Sequence, residues 1–285
     1  MTKAVICMRW GKLYPAIYVN VLYNAVRDHL EEPFRFICFT DEAEGLNPKI
    51  EVRPIPELDL PEKAWKRGAW PKIGVFAEEA FDFSGRALFI DLDTMITGDL
   101  EPFFHGPGTF RAIGKSSWTK HVAPKPAIYR WVKPKIQYIE RGLGLIAPKI
   151  PEKVGVERSN MGTGIFAFDI GAHTDLVDAL KNDIDGALRC YLNEQHFVQN
   201  HLESWSPWPD KTICSVKYHL FRPLLQSYFR HPMPPPEQIS IVAFHGDPRP
   251  LDMATKLLSS KNEFPHVWIG KVKWLRDYWG KYSSL

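Results

Sequence analysis

Short apolar runs alternate with polar stretches and helical periodicities along the first hundred residues. Residues 3–8 read as a strand, and residues Tyr14–Leu30 carry apolar side chains at helical spacing. Phe34–Phe39 is a second apolar run, ending at Thr40-Asp41, and Ile50–Ile55 is a third. A helix is expected over Trp70–Ala80, followed by a strand over Ala87–Ile90. Past Phe104 the pattern fades, and it returns at Gly162–Asp169, where Gly164–Phe168 has strand character. Asp175–Cys190 and Glu194–His201 predict helices, and Ile239–Phe244 a last β-branched strand. Strands alternating with helices imply an α/β fold, an α/β/α sandwich on a mostly parallel central sheet, with ligands at the carboxyl ends of its strands. Cys7-Met8-Arg9, Thr40-Asp41 and Asp91-Leu92-Asp93 would share that edge. No internal repeat or low-complexity linker interrupts the chain, so a single domain is expected.

Composition narrows the class. The chain has 285 residues, 45% of them hydrophobic and 24% charged, the balance of an ordinary soluble protein. No run reaches the roughly 18 apolar residues that span a membrane. The apolar stretch before Arg9 is too short for a secretory signal, so a cytoplasmic protein is expected. Cys7, Cys38, Cys190 and Cys214 lack CxxC spacing, which argues for reduced thiols and against structural zinc. Net charge is +3, but residues 111–158 carry eleven Lys or Arg and three Glu, a local +8. That segment also holds Trp118, Tyr129, Trp131 and Tyr138, whose ring faces suit sugar rings. An anionic acceptor is one reading of it, and a solvated basic loop is the other.

The chemistry centres on Asp91-Leu92-Asp93. Two carboxylates at the end of a buried strand repel and lose hydration unless a cation or donors compensate. A divalent ion would do so and would attract a phosphate-bearing ligand, whereas a capped Asp-x-Asp turn needs neither. His245 follows its own apolar run in the same way, so Asp91, Asp93 and His245 are candidate ligands of one metal. Gly246 allows close backbone approach, and Arg249 is within reach of phosphate oxygens.

Four segments in order resemble the glycosyltransferases of the GT-A fold, most closely the family 8 type that includes glycogenin and bacterial galactosyltransferases. They are Leu88–Asp93 with Asp99–Phe103, Ser159–Phe168, Asn193–His196 and Phe244–Pro250. The resemblance implies a DxD-dependent transferase with Mn²⁺ or Mg²⁺ on Asp91, Asp93 and His245. The cation would bridge the diphosphate of a nucleotide-sugar, a UDP-sugar first, with a glycan or lipid-linked acceptor and no nucleic acid. Lys72 would stand near the donor, Asn160 would bind the sugar, and Arg249 would meet the diphosphate. Met8 to Tyr14 would border the base, with Arg9 or Tyr14 in contact. By the same resemblance the nucleotide-binding half covers about 1–104 and the acceptor-side half about 105–250.

Two departures from the family pattern bear on mechanism. His245 and Gly246 are adjacent where the family separates them, and Glu194-Gln195 stands where Asp-Gln is usual. Family 8 enzymes retain anomeric configuration; an inverting enzyme would need a base, for which Glu194 and Asp247 are the candidates. Two competing readings are a haloacid dehalogenase-type phosphatase and a non-catalytic nucleotide-sugar-binding protein. Finally, Trp268, Val272, Leu275 and Trp279 form one stripe on a basic helix over about 265–285. That stripe either packs on its own domain or rests on an anionic membrane at the cytoplasmic face.

Overall fold

The apolar run at the N-terminus, Ala4–Met8, is buried along its whole length, which only a strand covered on both faces requires. A computed structural model describes residues 2–114, 159–222, 226, 230–257 and 270–283. In chain order the elements are β1 (Thr2–Arg9), α1 (Ala16–His29), β2 (Phe34–Thr40), β3 (Glu51–Arg53), α2 (Glu62–Lys66), β4 (Gly85–Ile90), β5 (Thr94–Ile96) and β6 (Phe110–Gly114). After them come β7 (Met161–Asp169), α3 (Asp175–Asn182), α4 (Ile184–Cys190), α5 (Glu194–His201), β8 (Ser206–Pro207), β9 (Ile213–Ser215), β10 (Ile241–Ala243), α6 (Pro250–Thr255) and α7 (Lys273–Ser283). The described chain divides into two compact units. The first comprises 2–92, 99–114 and 159–209; the second comprises 93–98 and the described residues from 210 onward.

The first unit is built on a seven-stranded sheet in the order β3-β2-β1-β4-β7-β6-β8. β1 runs parallel to both β2 and β4, while β7 is antiparallel to β4 and β6. The expected α/β sandwich with a mostly parallel sheet is therefore present, with β7 reversed inside it. Parallel register puts Arg9 opposite Thr40 and Ile6 opposite Phe89. Arg9, Thr40-Asp41 and Asp91 accordingly leave their strands at one edge. The core beneath β4, β6 and β7 is aromatic. Phe166 stacks on Phe89 (4.9 Å, 12°) and on Phe110 (5.5 Å, 10°), and Phe76 closes the cluster edge-on against Phe168.

Helix predictions needed correction at two places. Trp70–Ala80 is not an α-helix but two short 3-10 pieces, Trp70–Phe76 and Glu78–Ala80. Every residue of Trp70–Phe76 is buried, so the segment lacks the solvent face of an amphipathic helix, and Ala77 turns extended. Asp175–Cys190 is two helices, broken at Asp183, whose carboxylate accepts from the Gly186 N–H (2.8 Å) as the N-cap of α4. The fading pattern after Phe104 hid β6, and Trp118, Tyr129, Trp131 and Tyr138 lie outside the described residues.

In the second unit, β10 pairs antiparallel with β5 and parallel with β9. Of the C-terminal stripe, Val272, Leu275 and Trp279 are buried, and Trp268 lies outside the described residues. The Tyr278 hydroxyl accepts from the Ile96 N–H (3.0 Å), and the Val272 N–H donates to the Met253 carbonyl (2.9 Å). Packing on its own unit accounts for this stripe. Among the described residues no helix is long and apolar enough to cross a membrane.

All four cysteines are free. Burial pushes the Cys214 thiol up to about 12, and burial with neighbouring Cys38 raises Cys7 well above its ordinary value. Alkylation of the native protein at pH 8 should therefore be confined to exposed Cys190, as mass spectrometry would show; early labelling of Cys7 or Cys214 would contradict the packing. Phe166→Ala should cost about 3–5 kcal/mol in urea unfolding, because the cavity opens between two stacked rings.

Candidate functional site

Alternation along β4 sets the site. Phe89 and Asp91 are two residues apart, so they share a face, and Lys72 lies over both. The Lys72 ammonium is 5.3 Å from the Phe89 ring centroid and 2.6 Å from Asp91 Oδ1. It also lies 3.7 Å from Glu194 Oε1 and donates to the Thr163 carbonyl at 3.4 Å. The Lys72 and Glu194 side chains are 9% and 6% exposed, so both charges are held inside the protein. One ammonium thus serves two carboxylates, an arrangement stable only with close geometry and further hydrogen bonds.

Those further bonds are present in the same unit. The Thr163 hydroxyl donates to Glu194 Oε1 at 2.6 Å. The Asp91 N–H donates to the Gly164 carbonyl at 2.8 Å. A Cβ on Gly164 would stand 3.2 Å from Asp91 Oδ2, so glycine gives that carboxylate its room. Glu194 opens α5 behind its cap Asn193, whose side chain accepts from the His196 N–H, and a carboxylate in the first turn is favoured by the helix dipole. The Glu194 N–H donates to the Gly68 carbonyl (2.9 Å), tying α5 to the turn that begins the Lys72 segment.

Other predicted residues stand as follows. Arg9 is buried, and its guanidinium donates to the Tyr14 carbonyl (2.9 Å), the Glu42 carbonyl (2.6 Å) and the Glu42 carboxylate (2.9 Å). It therefore fixes the loop that leaves β1. Tyr14 is half-buried, with its ring edge-on to Tyr18. Asn160 is exposed, beside a buried Ser159 whose hydroxyl donates to Gln199 Oε1 (2.8 Å) and whose N–H donates to His196 Nε2 (2.9 Å). Sequence reasoning passed over Thr163, His196 and Gln199. The only signal for Thr163 was a hydroxyl between two glycines, and α5 spacing places His196 and Gln199 on one face.

Asp93 and the His245 turn come together in the second unit, because antiparallel pairing sets Thr94 opposite Ala243. The Phe244 N–H donates to the Asp93 carbonyl (3.2 Å), and the Gly246 N–H donates to Asp93 Oδ2 (2.5 Å). Asp93 is buried and His245 exposed. His245 has φ 59°, a left-handed conformation that costs about 1 kcal/mol in a non-glycine residue. The Lys217 ammonium holds the turn by donating to the His245 carbonyl (2.7 Å). Arg249 and Asp247 form an ion pair at 3.6 Å. Carboxylate and imidazole suit Mn²⁺ or Mg²⁺ in kind. Among the described residues, however, no group of three or more His, Cys, Asp or Glu is already gathered as a metal site.

No protein-family model matches the chain, and no curated protein matches its sequence. Solved structures do match in fold. The glycosyltransferase GlyE of Streptococcus pneumoniae TIGR4 superposes with a TM-score of 0.55 at 11% identity, over 100% of this chain and 61% of GlyE. The chain thus spans about three fifths of GlyE. The galactosyltransferase LgtC, solved with donor and acceptor sugar analogues, gives a TM-score of 0.56 at 9% identity, over 99% of this chain and 97% of LgtC. The bifunctional glycosyltransferase WbbM gives 0.53 at 12% identity, over 99% of this chain and 50% of WbbM. The fold is that of the GT-A glycosyltransferases.

Lys72→Met would leave Asp91 and Glu194 without their shared cation. A loss of about 3 kcal/mol is expected in urea unfolding. Lys66→Met, which breaks the exposed Lys66–Glu62 pair, should change little. Equal effects from the two substitutions would show that the buried cluster is not held by charge.

Proposed function

We propose that the protein is a divalent-cation-dependent glycosyltransferase that moves a sugar from a nucleotide-diphosphate sugar, a UDP-sugar first, to a glycan or lipid-linked acceptor. The observation that carries this reading is the Asp91–Lys72–Glu194 cluster at the carboxyl edge of the sheet. It occupies the sheet edge where open α/β folds gather their ligands, on a fold shared with sugar-transferring enzymes.

Roles follow from the chemistry of each group. Asp93 and His245, brought together by the β5–β10 pairing, would hold Mn²⁺ or Mg²⁺, and the resemblance adds Asp91 to them. Such a cation supplies charge neutralisation on the departing diphosphate. Arg249 adds a bidentate donor for phosphate oxygens. Asn160, exposed at the head of β7, would hydrogen-bond sugar hydroxyls. Lys72 sets one ammonium between Asp91 (2.6 Å) and Glu194 (3.7 Å). Glu194 rather than Asp247 is assigned to the reacting face. It is buried and anchored, whereas Asp247 is exposed and engaged with Arg249. An acceptor bearing negative charge would match the basic segment over 111–158.

A thermal-shift panel of UDP-, GDP-, CMP- and dTDP-sugars, with and without Mn²⁺, tests the donor. A ligand at 100 times its Kd should add about 2.7 kcal/mol of stability, and a clear rise in Tm is expected for a UDP-sugar with Mn²⁺. The same donor should be slowly hydrolysed, and Asp93→Ala should abolish that hydrolysis. A flat panel, or cleavage of simple phosphomonoesters instead, would overturn the reading.

A further inference from the structure

We propose that Thr163 is a positioning residue for Glu194, fixing one carboxylate oxygen so that the other faces the bound sugar in a single orientation. The inference rests on the glycosyltransferase reading above and deepens it. The two oxygens of Glu194 differ in a way that a purely structural carboxylate would not. Oε1 accepts the Thr163 hydroxyl at 2.6 Å and lies 3.7 Å from the Lys72 ammonium. Oε2 accepts no hydrogen bond among the described residues, yet it is not among the sealed, unpartnered atoms of the interior. It therefore keeps some accessible surface although the residue is only 5% exposed.

The surroundings make Thr163 suited to this task. It is 3% exposed, and its carbonyl accepts from Lys72, so the same residue touches both ends of the Lys72–Glu194 pair. Its neighbours Gly162 and Gly164 carry no side chain. A Cβ on the first would press on Ile113 at 3.2 Å and one on the second on Asp91 Oδ2 at 3.2 Å. The hydroxyl of Thr163 is thus the one side-chain donor that this Gly-Thr-Gly stretch offers. The backbone of Glu194 is independently pinned to Gly68, which leaves side-chain rotation as the freedom that Thr163 removes. Orientation of this kind acts on the transition state and leaves ground-state donor binding largely alone.

Steady-state hydrolysis and transfer with the donor found by thermal shift would test this, using full-length protein with Thr163→Val and Thr163→Ser. Thr163→Val should lower kcat about 10–100-fold while donor KM stays within about threefold. Thr163→Ser, which restores the hydroxyl, should recover most of the rate. The role is overturned if the valine variant keeps its kcat, if it loses efficiency through KM alone, or if serine fails to rescue. If Thr163→Val does not fold, the contrast between Thr163→Ala and Thr163→Ser reads the same difference. A parent enzyme that turns over no nucleotide-sugar would instead remove the glycosyltransferase reading itself, and this role with it.

Discussion

Burying a cation between two anions is the constraint around which the first unit is arranged. Ions inside a protein lose hydration worth several kcal/mol each, so every neighbour must contribute geometry or a hydrogen bond. Lys72 can reach Asp91 and Glu194 because its segment is tightly coiled and buried on Phe89, and Glu194 can reach Lys72 because α5 begins against Gly68. Gly164 leaves space for Asp91, and the Thr163 hydroxyl donates to the Glu194 oxygen that faces Lys72. If any of these positions shifted, an uncompensated charge would remain inside.

The second unit meets a milder requirement. Asp93 is held by backbone donors of the turn after β10, and His245 is kept in a left-handed conformation by its neighbours. The cost of that conformation is small, and the return is an imidazole placed at the mouth of a turn whose backbone is already committed.

The longer buried strands and the paired acids were legible from sequence because both produce clear local patterns, whereas β5, β6, β8 and β9 were not read. Ala87–Ile90 followed by Asp91 marks a buried strand and its exit, and the runs at Ala4–Met8 and Phe34–Phe39 do the same. Helical spacing located α1 and α5 to within two residues. Trp70–Phe76 misled because its periodicity resembles a helix, whereas its complete burial is a tertiary fact. The reversal of β7 left no trace either, since a strand buried on both faces reads the same in either direction. Lys72 was placed near the donor by resemblance, but its salt bridges depend on a fold-wide juxtaposition of residues far apart in the chain. Thr163 escaped notice because a single hydroxyl has no periodicity.

The seat of Lys72 on Phe89 has a consequence for engineering. Phe89 belongs to the stack with Phe166 and Phe110, so the floor of the charged cluster is also the heart of the hydrophobic core. Repacking that core to raise heat tolerance would move the ring on which the lysine rests, and with it the ammonium between the two carboxylates. Stabilising substitutions are better sought away from this stack, on the outer face of α1 or in the second unit.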